Sequence, residues 1–193
     1  MLCHELEGQI LNMTPLNSLE LGSNFDGFFC SACKEWHSGL PLDWGVAAPI
    51  YWEQIPAAER SIHGRLTEDF CSIDDRDFFV RGLIEIPIIG SDKRFMWGVW
   101  VSLSRQNYRR TIELWNSPKR LQEPPYFGWL SNDIPNYPST LNLKTNISAR
   151  DLKLRPFIEL EPTDHPLAVE QRNGITLARI VEIASGLVHK RSN

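Results

Sequence analysis

From Phe78 to Ile88 the chain alternates strictly. Phe78, Val80, Gly82, Ile84, Ile86 and Ile88 fall on one side, and Phe79, Arg81, Leu83, Glu85 and Pro87 on the other. A period of two predicts a half-buried strand. Pro87 belongs at its end or at an edge, because it cannot donate to a ladder. Gly90 to Arg94 suits a hairpin loop, and Phe95 to Leu103 reads as the returning strand. One of its faces carries Phe95, Trp97, Val99, Val101 and Leu103, the other Met96, Gly98, Trp100 and Ser102. Both faces are largely apolar, which predicts a central strand covered on both sides.

The period then changes. Ser104 can cap a helix with Tyr108, Thr111, Ile112 and Trp115 along one stripe, stopped by Pro118. A second helix is expected from Leu177. Thr176 caps it, Ile175 and Ile180 form a hydrophobic staple, and Leu177, Ile180, Val181, Ala184, Leu187 and Val188 make its apolar stripe. Tyr126–Leu130, Leu141–Ile147 and Arg155–Glu161 supply further strands, separated by Pro-rich joints, and a short helix is expected before Arg60. Together these predict an α+β fold: a mainly antiparallel mixed sheet with packed helices. Residues 1–26 carry scattered leucines without a sustained period and read as a poorly patterned extension. Residues 27–193 read as a single domain.

Composition narrows the function classes. The chain has 193 residues, 42% of them hydrophobic, with 24 acidic against 20 basic side chains. A formal net charge of −4 argues against an electrostatic nucleic-acid binder. No run of 18 apolar residues is present to span a membrane. The N-terminus has neither a basic n-region nor a continuous apolar stretch, so a cytoplasmic protein is expected.

The chemistry concentrates near the start of the domain. Cys30-x-x-Cys33-x-x-x-His37 places three soft or borderline ligands within eight residues, among turn-forming glycines and prolines. Two thiolates on one tight turn can face a single cation, as in a zinc knuckle. A structural zinc site normally takes a fourth protein ligand. Cys71 is the first candidate because it lies just before the strongest strand; Cys3 is the second. Reduced buried thiols and a redox-active pair are the alternatives, although a redox Cys-x-x-Cys usually opens a helix after a strand. His63 and His189 have no sequence-adjacent partners and read as surface residues.

A second group lies at a strand-to-helix joint, where Glu161, Asp164 and His165 could form a general-base set. The competing reading makes Thr163 or Asp164 the cap of a helix begun by Pro166. No glycine-rich phosphate loop, nucleophile elbow or His-Glu-x-x-His helix accompanies them. Trp97, Trp100, Tyr126 and Trp129 are candidates for an aromatic binding surface, since such residues are enriched at interfaces.

Several strings resemble an uncharacterised bacterial family, domain of unknown function 2199. They are Phe29-Cys30-x-x-Cys33 with His37 and Gly39-Leu40-Pro41, then Asp69–Asp74, Phe78–Gly82 and Trp97–Leu103. Glu123–Leu130, Leu141–Thr145 and Glu159–Gln171 continue the resemblance, which spans roughly residues 27 to 190. It implies a single-domain bacterial protein and supplies no activity, substrate or partner. Its blocks include Cys30, Cys33, His37 and Cys71, favouring that quartet over one using Cys3. Lys34 departs from the usual knuckle, which often has Gly after the second cysteine.

The sequence thus favours a zinc-stabilised module that binds a protein partner or a small ligand, in regulation or as an immunity-type protein. A metal-dependent or Asp/His-based hydrolase is the alternative.

Overall fold

A computed structural model describes residues 25–189. The chain first forms β1 (Gly27–Phe29), β2 (Trp36–Ser38), β3 (Asp43–Gly45), α1 (Ile50–Glu53) and α2 (Arg60–His63). Then come β4 (Gly64–Leu66), β5 (Phe70–Ile73), β6 (Asp77–Pro87), β7 (Arg94–Leu103) and α3 (Arg105–Leu114). A short 3-10 helix (Pro118–Gln122) leads into β8 (Tyr126–Trp129), β9 (Lys144–Ser148), β10 (Phe157–Leu160), α4 (Pro166–Asn173) and α5 (Leu177–Leu187). Residues 1–24, most of the expected extension and with it Cys3, lie outside the described residues.

The long alternating segment and its return form the β6–β7 hairpin, registered from Phe78 opposite Leu103 to Pro87 opposite Arg94. Pro87 ends its strand, where a missing N–H costs no ladder bond. The main sheet runs β3-β7-β6-β10-β9-β8, with β5 also on β6 and β4 on β5. Only β3–β7 and β10–β6 are parallel; the other pairs are antiparallel. The α+β expectation holds.

The strand path also returns to its start. Val101 in β7 bridges Leu130, just beyond β8, and the Trp129 N–H donates to Ser102 Oγ at 3.2 Å. Buried Asn132 secures this junction: its Oδ1 accepts from the Trp100 N–H at 2.7 Å and its Nδ2 donates to the Ala48 carbonyl at 2.8 Å. Five strands, β7-β6-β10-β9-β8, therefore close a loop around the main core.

The two faces of the hairpin bury different clusters. Val80, Ile84, Ile86, Phe95, Trp97, Val99 and Val101 join the main core with Cys30, Tyr108, Leu167, Ile180, Ile183 and Leu187. Ala48, Trp52, Cys71, Ile73, Phe79 and Trp100 form a second cluster on the opposite face. Double coverage of β7, expected from its two apolar faces, is thereby accounted for.

The two capped helices form as expected, with Ser104 accepting from the Asn107 N–H and Thr176 from the Arg179 N–H. The stripe of α3 is narrower than expected: Tyr108 and Leu114 are buried, whereas Ile112 is 46% exposed. The strand expected from Leu141 starts only at Lys144, because Asn142 takes a positive φ of 61° in a turn. Helix α5 is fixed by a polar clamp as well as by its apolar stripe. Glu170 on α4 accepts from Arg179 Nε at 3.2 Å and from the Tyr137 hydroxyl at 2.5 Å. That clamp holds the first turn of α5 against α4.

Candidate metal centre

The first part of the site is a hairpin with a tight connection. β1 and β2 pair with Phe28 opposite His37 and Phe29 opposite Trp36. Phe28 is buried, and its ring stacks on the His37 imidazole at 5.2 Å and 16°, holding that ring in place. Gly27 is needed where it stands: a Cβ there would come within 2.7 Å of the Trp36 indole Nε1 and collide with the His37 carbonyl. In the turn, the Cys30 N–H donates to the Glu35 carbonyl and the Lys34 N–H to the Cys30 carbonyl, both at 2.9 Å.

Lys34 closes this turn at φ 63°, the left-handed region that glycine adopts without Cβ strain. The departure noted in the sequence is thus accommodated by the backbone rather than avoided. Lys34→Gly should raise the stability of metal-stripped protein by roughly 0.5–1 kcal/mol in urea denaturation. A loss of stability instead would mean that the lysine side chain contributes more than its backbone strain costs.

The fourth group comes from the far end of the chain. Ser185 and His189 are four residues apart at the end of α5, so both face the hairpin. The Ser31 N–H donates to Ser185 Oγ at 3.2 Å, and Cys30 Sγ lies 3.9 Å from the Ser185 carbonyl. His189 Nε2 then stands 3.3 Å from Cys30 Sγ, while His37 Nε2 stands 3.2 Å from Cys33 Sγ. The two imidazoles meet edge to face at 5.6 Å.

One ligand atom from each of Cys30, Cys33, His37 and His189 lies within 4.8 Å of the others. Zn–S near 2.3 Å and Zn–N near 2.0 Å require tetrahedral S-to-N edges of about 3.5 Å. The Cys30–His189 and Cys33–His37 separations, 3.3 and 3.2 Å, fall close to that length. The group could hold a metal ion.

Electrostatics suit a cation. Burial opposes ionisation of the Cys30 thiol, but the Cys33 backbone N–H, the His189 imidazole and the Ala32 backbone N–H outweigh it, bringing the thiol down to about 6. A thiolate with donors around it is the form that binds metal.

Cys71 is not part of this arrangement. Its β5 register sets it opposite Phe79, which carries it into the second cluster, across the sheet from Cys30. Burial pushes its thiol up to about 12, so it is a neutral core side chain at ordinary pH. His189, expected at the surface, replaces it.

Cys71→Ala should leave metal stoichiometry unchanged and cost about 1–2 kcal/mol. The raised thiol stabilises the native state fully below the unfolded value of 9.0, and that share is lost as pH rises toward 12. The stability gap between the two proteins should therefore narrow above pH ~9. Metal loss in Cys71→Ala matching that in Cys30→Ser would return Cys71 to the ligand set.

The other candidates separate. His165 is the N-cap of α4, its Nδ1 accepting from the Leu167 N–H at 3.2 Å while Nε2 contacts the Pro138 carbonyl at 3.3 Å. Both ring nitrogens are occupied structurally, and the cap is His165 rather than Thr163 or Asp164. Glu161 pairs with Lys144 at 3.5 Å and Asp164 is exposed, so no general-base set converges here. The aromatic surface also divides. Trp97 and Trp100 are buried in opposite clusters, and Tyr126 is half-buried with its hydroxyl on Glu123. Only Trp129 of the four is exposed, and it meets Phe127 edge to face at 5.1 Å.

A family model described as an uncharacterized protein conserved in bacteria, domain of unknown function 2199, matches residues 29–175. The chain belongs to this family. The span matched by domain 2199 contains Cys30, Cys33 and His37 and stops short of His189. No curated protein and no solved structure matched the chain. Among the described residues of this domain 2199 protein, no helix is long and apolar enough to cross a membrane.

Proposed function

We propose that Cys30, Cys33, His37 and His189 bind one zinc ion as a structural clamp, and that the protein is a binding module. The carrying observation is the convergence of two sulfurs and two imidazole nitrogens within 4.8 Å, at edges suited to a tetrahedral cation. Two thiolates with two imidazoles favour zinc over harder cations. Four protein ligands leave no open position for substrate, so the ion's role is structural rather than catalytic.

The clamp would tie the β1–β2 hairpin to the end of α5, two segments otherwise joined here by the Ser185 contacts. Exposed aromatic side chains flank it, Trp36 at 65% and Phe29 at 37%, in keeping with recognition of a protein partner in regulation or immunity.

Elemental analysis of protein purified without added metal should find about one zinc per chain, and cobalt substitution should give the absorption of a tetrahedral sulfur–nitrogen site. Less than about half an equivalent, unchanged in Cys30→Ser, would sink the structural-metal reading. Three protein ligands plus water would instead favour the hydrolase alternative.

A further inference from the structure

Arg81 sits on the face of the sheet opposite the metal centre. It alternates with Val80, which enters the main core, and lies across from Trp100 of the second cluster. Its surroundings are unusual for a guanidinium. The side chain is half-buried, and Nε is shut off from solvent without a hydrogen-bond partner among the described residues. The carboxylates whose charge it feels, Asp69 and Glu68, are already engaged. Arg155 donates to Asp69 Oδ1 at 2.7 Å through Nε and to Glu68 Oε1 at 2.5 Å through Nη2. Among the described residues no carboxylate forms an ion pair with Arg81 itself.

The floor beneath it is bare backbone. Gly45 and Gly98 face each other in the parallel β3–β7 register. A Cβ on Gly45 would stand 2.7 Å from Arg81 Nη2, and one on Gly98 3.7 Å from it. Glycine at Gly45 is what leaves room for Nη2, whose bond from Cζ, 4.0 Å from that Cβ position, is aimed almost straight at it. Gly45 is exposed, so solvent reaches the head of Arg81 over it. Burial, and next the neighbouring Arg155 charge, both weaken the hold of Arg81 on its proton. With its Nε buried and unpartnered and its nearest carboxylates shared with Arg155, Arg81 is short of the counter-charge that buried ions ordinarily have.

We infer that Arg81, its Nη2 aimed at the space over Gly45, with Arg155 as a neighbouring charge, is a receptor for a small oxyanion of the phosphate or carboxylate class. The anion would sit over Gly45, accept from Nη2 and supply the missing negative charge. A planar guanidinium is suited to two-oxygen recognition of either group. The site stands independently of the zinc clamp.

The test is titration with inorganic phosphate and, separately, acetate at fixed ionic strength, read by calorimetry and by the thermal midpoint against chloride. Wild type should show saturable binding of at least one of the two anions, and which one binds assigns the class. Arg81→Met keeps an unbranched aliphatic stem without the guanidinium and should lose roughly tenfold or more in affinity. Arg81→Lys keeps a point charge without the fork and should fall between them. Arg109→Met, at an exposed arginine elsewhere, should bind as wild type does. Absence of saturable binding by both anions would overturn the inference, as would equal binding by Arg81→Met. If Arg81→Met does not fold, unchanged affinity in Arg81→Lys overturns it instead. Zinc content should be the same in every one of these proteins, which separates this outcome from failure of the clamp.

Discussion

His189→Ala should bind zinc at least roughly 100-fold more weakly than wild type in chelator competition. Even groups that merely hydrogen-bond to metal ligands change affinity by 10–100-fold, and this substitution would remove one of the four proposed ligands outright. Because a structural ion stabilises only the folded state, a 100-fold loss corresponds to about 2.7 kcal/mol of stability at saturating metal. The effect should be local. His189 is four residues from Ser185, which holds Ser31 and Cys30, so amide exchange should quicken first at the end of α5 and in the β1–β2 turn. In metal-free protein the substitution should cost far less. Wild-type zinc affinity in His189→Ala would remove His189 from the ligand set.

Gly128→Ala should cost about 3 kcal/mol, measured by urea denaturation, more than most small-to-large changes. A Cβ at this buried position would press on the Ser102 carbonyl oxygen and lie 2.8 Å from Ile147 Cδ1. A side chain can rotate away, whereas the Ser102 backbone carbonyl, near the end of the pairing of β7 with β6, cannot. Relief would require β8 to move off β7, breaking the Trp129–Ser102 hydrogen bond and the Leu130–Val101 bridge. Asn132, two residues beyond Leu130, would be drawn from its bonds to Trp100 and Ala48. A cost below about 1 kcal/mol would show that closure between β7 and β8 is adjustable.

The legible parts of this fold were those set by local pattern. The β6–β7 hairpin announces itself through eleven residues of alternation and a polar loop, and α3 and α5 through their caps. β1 to β4 could not be read because three residues carry no period, and the pairing of β3 is decided by distant β7. The parallel contact of β10 with β6 likewise depends on tertiary arrangement. The metal group follows the same rule. Cys30, Cys33 and His37 are visible within eight residues, but His189 stands 159 positions from Cys30 and arrives only because Glu170, Arg179 and the apolar stripe fix α5. Cys71 misled because nearness to a strand says nothing about which face it occupies. Its register opposite Phe79 decides that. Arg81 carried no signal at all, since its significance lies in the two glycines across the sheet.

The return of β8 to β7 also governs how this protein can meet other chains. Among the described residues, each strand longer than three residues has neighbours on both sides, and the strands with one free side, β1, β2, β3 and β4, are three residues each. Such short borders offer a visiting peptide almost no ladder to extend, which disfavours both strand-addition recognition and edge-to-edge aggregation. A partner must therefore read this surface through side chains.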